Sequence, residues 1–110
     1  MSLVESCYLL SRRFPKEELF GLTSQIRRAA VSIPSNIAEG HGRESTQSFV
    51  QYLRMAQGSL KELETQLILA TRVGFVVQHD IEPMLAGCDS LGRMIRQLIR
   101  TLQKKAASEC

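Results

Sequence analysis

The sequence predicts an all-α protein: an antiparallel up-down-up-down four-helix bundle with a short first helix and a Pro-kinked second helix. Three observations predict it. Leu, Ala, Gln, Arg and Glu dominate, and no run alternates apolar with polar residues in the manner of a strand. Apolar residues recur at steps of 3 and 4 along nearly the whole chain. Clusters of Pro, Gly and Ser divide that pattern into four segments joined by short connections, which make neighbouring helices antiparallel.

Helix 1 is read from about Ser2 to Arg13. Leu3, Cys7, Leu10 and Phe14 lie on one face, and Phe14-Pro15 ends it, because proline disfavours helix in the residue before it. Helix 2 is read from about Leu19 to Gly40, with Leu19, Leu22, Ile26, Ala29, Ile33 and Ile37 as its stripe. Pro34 removes one backbone hydrogen bond, so a kink is expected there; a break into two helices at Ser32-Ile33-Pro34 is the competing reading.

Helix 3 is read from Thr46 to Val73, with Ser45 as N-cap and Gly74 as the closing C′ residue. Phe49, Leu53, Ala56, Leu60, Leu63, Leu67 and Ala70 form a heptad-like seam. Gly58 lies mid-helix at a cost of about 1 kcal/mol, for which close helix approach is the usual compensation. Helix 4 is read from Ile81 to Lys105, with Asp80 as N-cap and Pro83 in its first turn. Its seam is Ile81, Met84, Cys88, Leu91, Ile95, Leu98 and Leu102, and residues 106–110 are expected to fray. Helix 1 covers about half the length of helices 3 and 4. Part of their seam is therefore left without a partner inside the chain.

The 110 residues suit one domain spanning residues 1–110. No stretch of about 18 apolar residues occurs, which excludes a helical membrane span. The first residues lack a basic n-region and meet Glu5 at once, unlike a secretion signal. Three cysteines, at 7, 88 and 110, form no CxxC pair; this fits free thiols and a cytoplasmic protein.

Catalysis finds little support. His41 and His79 fall at opposite ends of helix 3, about 40 Å apart. No Glu-x-x-His pair occurs, so the inward di-metal arrangement of some bundles is missing. Cys88 lies on the apolar seam and reads as a core thiol, not a ligand. The loop from Gly40 to Ser45 is Gly-rich, but it follows a helix and lacks the P-loop pattern. Glu39 reads as a partly buried acid beside Asn36 that needs an Arg or amide partner. No enzyme activity, cofactor or metal is expected.

Charge is more informative. Net charge is +3, but residues 1–89 hold nine Lys/Arg against ten Asp/Glu, and residues 90–110 hold five against one. Arg93, Arg96, Arg100 and Lys104 share one face of helix 4, opposite its apolar seam and without intervening acids. Such a stripe can hold a phosphate backbone with salt-sensitive, sequence-blind affinity. It can equally be a solvated face whose late cations suit the helix dipole. Helix 4 carries no aromatic residue for base stacking.

The run from Phe14 to Gly40, with Ala29-Ala30-Val31-Ser32-Ile33-Pro34-Ser35-Asn36-Ile37-Ala38-Glu39-Gly40 at its end, resembles the core of the 23S rRNA intervening-sequence protein family. The run Gly58-Ser59-Leu60-Lys61-Glu62-Leu63-Glu64-Thr65-Gln66-Leu67 is similar to its second hallmark. The resemblance implies a bacterial four-helix bundle that assembles as a homopentamer and has no known enzymatic activity. One relative, the partner of a reverse transcriptase in diversity-generating retroelements, binds nucleic acid and the polymerase. Arg27, Arg28, Arg43 and Arg54 match basic positions of the family pattern, and with the helix 4 stripe they complete the candidate nucleic-acid-binding residues. Members of the family usually carry several more residues before the position of Leu3. The expected partners are therefore further copies of the chain and RNA or DNA. The alternative is a protein-interaction scaffold that touches no nucleic acid.

Overall fold

The computed structural model describes residues 2–109, with side chains from Leu3 to Ser108, so the reading of Cys110 as a free thiol lies outside the described residues. It contains four α-helices: α1 Ser2–Ser11, α2 Leu22–His41, α3 Thr46–Arg72 and α4 Gln78–Glu109. Among the described residues there is no strand. The fold is all-α and compatible with a four-helix bundle. The α1 helix packs against α2 and α4, and α3 packs against the same two.

The helix ends follow from local hydrogen bonding. Ser11 turns its hydroxyl onto its own chain and donates to the Tyr8 carbonyl at 3.1 Å. Tight bonds from the Arg13 and Phe14 amides to Leu10 and Ser11 then close α1 two residues earlier than its pattern predicts. Phe14 is buried and meets Phe75 with ring centroids 5.4 Å apart, which anchors the turn. A 3₁₀ turn, Lys16–Glu18, follows Pro15.

The start of α2 differs from the expected Leu19. The Glu18 carboxylate accepts the Leu22 amide at 3.0 Å and so caps α2 three residues later. Leu19 is consequently exposed and is not part of the stripe. The α2 helix runs through Pro34 without interruption, which overturns the competing reading of two helices. Side chains bond the backbone around the proline: Ser32 Oγ donates to the Ala29 carbonyl at 3.0 Å, and Asn36 Nδ2 donates to the Ser32 carbonyl at 2.8 Å.

The expected caps of α3 are present. Ser45 Oγ accepts the Ser48 amide at 3.1 Å. Gly74 takes φ +85°, and the Phe75 and Gly74 amides donate to the Ala70 and Thr71 carbonyls, closing a Schellman motif. The α4 helix starts three residues before the expected Ile81. Asp80 is not its N-cap; from within the first turn its Oδ2 accepts the Val77 amide at 3.1 Å. Pro83 accordingly falls in the second turn. The helix continues to Glu109, where fraying from residue 106 was expected.

One core joins the helices. Cys7 and Leu10, Ile26 and Ile33, Leu53, Leu60, Leu63 and Leu67 on α3, and Ile81, Cys88, Ile95 and Ile99 are all buried. Ile37, Phe49, Leu91, Leu98 and Leu102 are only half-buried. The cause is length: α1 has 10 residues and α4 has 32, so α1 spans about 15 Å of an element about 48 Å long. Leu3 and Val4 sit beside Pro34, Ile37 and Leu91, where the cover by α1 stops.

Close helix approach occurs at Gly40, not at Gly58. A Cβ on Gly40 would lie 2.7 Å from Tyr52 Cβ and 2.9 Å from Phe49 Cδ1. A Cβ on Gly58 would meet nothing within 4 Å. The adjacent Ser59 is buried and takes a hydrogen bond with the Ser32 hydroxyl, tying α2 to α3.

Candidate nucleic-acid interface

The stripe on α4 is exposed along its length. Arg93, Arg96, Arg100 and Lys104 occupy a little over three turns, about 16 Å. No acid lies within the stripe, but Asp89, one turn before Arg93, pairs with that arginine at 3.3 Å. Both partners are about two-thirds exposed, so the pair is weak and water competes for it. Among the described residues no carboxylate pairs with Arg96, Arg100 or Lys104. Arg96 folds back along its own helix, with a guanidinium nitrogen 3.5 Å from where a Gly92 Cβ would sit.

The four remaining candidates are placed differently. Arg27 Nε donates to Ser11 Oγ at 2.8 Å, and its guanidinium lies 4.9 Å from the Tyr8 ring centroid. It is half-buried and joins α2 to α1. Arg28 is exposed and lines a shallow groove of about 690 Å³ with Tyr8, Phe20, Ser24 and Val31. Phe20 is 93% exposed there, a feature no periodicity reveals because it lies in the link before α2. Arg43 donates to Glu39 at 3.1 Å and to the Tyr52 hydroxyl at 2.8 Å, with its guanidinium 5.1 Å from the Tyr52 ring centroid. Glu39 thus has the expected Arg partner, but it is exposed, not partly buried. Arg54 is exposed on α3. Arg27 and Arg28 share one groove, Arg96 lines another, and the other five line neither.

Arg96's cleft was missed by the charge pattern. It lies between α3 and α4, holds about 340 Å³, and is floored by Leu60 and Cys88. Lys61, Glu64 and Asp89 also line it, as do Gly58 of α3 and Gly92 of α4. The available signal was the pair of helical glycines. Cys88 is 2% exposed; burial, aided by the Glu64 carboxylate, pushes its thiol up to about 12. Burial likewise pushes Cys7 up to about 11. Both thiols are protonated at neutral pH and are not nucleophiles.

His41 is exposed and meets the Phe49 ring edge-on, and His79 is exposed at the other end of α3. Among the described residues no group of three or more His, Cys, Asp or Glu side chains could hold a metal ion. Among the described residues no helix is long and apolar enough to cross a membrane.

A search of curated proteins finds no match to the chain. The family model for 23S rRNA-intervening sequence protein matches residues 1–97, which takes in α1, α2, α3 and α4 as far as residue 97. Both sequence hallmarks, and the first two arginines of the stripe, fall inside that match. The chain belongs to the 23S rRNA-intervening sequence protein family.

Proposed function

We propose that this chain is a non-enzymatic, cytoplasmic, homo-oligomeric four-helix bundle that binds RNA or DNA through its basic helix faces. The observation that carries this reading is the exposed face of α4, where Arg96, Arg100 and Lys104 stand without acid partners among the described residues. The short links before α3 and α4 favour antiparallel neighbours in this bundle. Pro34 kinks α2, because it removes the bond to the Ala30 carbonyl.

Assembly supplies what a single stripe lacks. The groove around Phe20 and the half-buried residues beyond the end of α1 are apolar surface that neighbouring subunits would cover. The family resemblance points to a pentamer. A ring repeats each stripe, and weak contacts to one nucleic acid then add through effective concentration. Light scattering would give the subunit number. Titration of a labelled single-stranded RNA against salt tests the binding: affinity should fall steeply as salt rises. Binding that ignores salt would contradict the reading.

A protein-interaction scaffold is the second reading, and Phe20 is the observation that favours it. An aromatic ring this exposed, beside Leu19 and Val31, suits the anchor of a protein contact. A protein partner retained after nuclease treatment and at high salt would favour that reading.

A further inference from the structure

We propose that the cleft between α3 and α4 is a pocket for an unpaired nucleobase that carries an exocyclic amine. The proposal rests on the nucleic-acid reading above and names what a single strand would insert.

Two helical glycines line this cleft from facing helices. Gly58 has nothing within 4 Å of a notional Cβ, and Gly92 would make only ordinary contacts, 3.5 Å to Arg96 and 3.9 Å to Leu60. Neither glycine is required for packing within the chain. Neither puts a side chain into the cleft, so a planar ring can approach the backbone of both helices. The cleft's volume of about 340 Å³ falls at the small end of the range for small-molecule pockets, roughly 300–1,000 Å³.

The polar groups select the ring. Glu64 is held by Lys61 at 3.3 Å, and Asp89 by Arg93 at the same distance. Each carboxylate keeps lone pairs for a further donor. An exocyclic amine supplies that donor, as the N4 amine of cytosine does to Glu or Asp. Uracil has the same shape but presents a carbonyl oxygen there, which the carboxylates repel. The Gln57 amide and Arg96 can donate to the ring nitrogen and carbonyl beside the amine. Arg96 also lies on the stripe, so a strand whose phosphates follow Arg100 and Lys104 passes the mouth of the cleft.

The test compares short oligocytidine with oligouridine by fluorescence anisotropy at low salt, in ribose and deoxyribose series. The expected result is a preference for cytidine of about tenfold or more. The sugar series with the larger preference names the source. Gly58→Leu, which fills the cleft, should abolish the preference and leave the salt dependence intact. Asp89→Asn, at an exposed position, should reduce the preference even if the Leu variant fails to fold. Equal binding of both homopolymers, or a preference that survives both variants, overturns the pocket and leaves backbone binding standing. Absence of binding to either homopolymer overturns the nucleic-acid reading and the pocket together.

Discussion

Two glycines of the same helical type should respond to alanine with opposite signs. At Gly58 an added methyl meets nothing within 4 Å, so Gly58→Ala gains helix propensity without a packing cost. That gain is about 1 kcal/mol. For a chain of this size it raises Tm by about 4 °C. At Gly40 the same methyl would stand 2.7 Å from Tyr52 Cβ, 2.9 Å from Phe49 Cδ1 and 3.3 Å from the Phe49 carbonyl. A Cβ and a carbonyl cannot swing away as a side-chain tip can, so α2 and α3 must separate. Overpacking of this kind costs about 1–3 kcal/mol. The propensity gain at Gly40 is small, because it is the penultimate residue of α2. Urea denaturation followed by far-ultraviolet circular dichroism measures both variants. The reasoning requires a higher midpoint for Gly58→Ala and a lower one for Gly40→Ala, with unchanged slopes. A destabilised Gly58→Ala would refute the open space at that position, and a neutral Gly40→Ala would refute the α2–α3 approach.

Other outcomes follow from the polar contacts. Arg27→Ala loses a hydrogen bond to Ser11 and the contact over Tyr8, and should cost about 1–2 kcal/mol in thermal denaturation. Its salt dependence of RNA binding should match the wild type, because its guanidinium is already engaged by Ser11 and Tyr8. Asp80 is held below the usual carboxylate range by the Val77 amide first and Arg13 second. Its stabilisation is therefore present above the ordinary value near 3.8 and is lost as pH falls through the lower folded value. Asp80→Asn should be less stable than wild type at neutral pH, and the difference in Tm should vanish in strong acid.

The seams of α3 and α4 were legible because their steps of 3 and 4 run unbroken for many turns. Ser45 and Gly74 were legible because each acts through its own residue type at a fixed place. The starts of α2 and α4 were not. Glu18 caps from four residues upstream of Leu22, and Asp80 caps by reaching backwards. A rule that looks for an N-cap immediately before the apolar run misses both. The basic stripe could be read from spacing, but the Asp89 pair sits one turn outside it. Arg27 was legible as basic and not as structural, since its partners Ser11 and Tyr8 belong to another helix. Gly58 suggested close approach from its position alone. Only the placement of α4 shows an open cleft there, shared with Gly92.

The central claim is that the α4 face binds a phosphate backbone. The most direct measurement is the salt dependence of single-stranded RNA affinity for the wild type and for the triple variant Arg93→Gln, Arg96→Gln, Arg100→Gln. All three side chains are exposed, so the fold should be unaffected. Each lost contact to a single strand lowers the slope of log affinity against log salt by about 0.7. The account predicts that the triple variant loses most of its low-salt affinity and about two units of slope. Unchanged affinity and slope in that variant would contradict it.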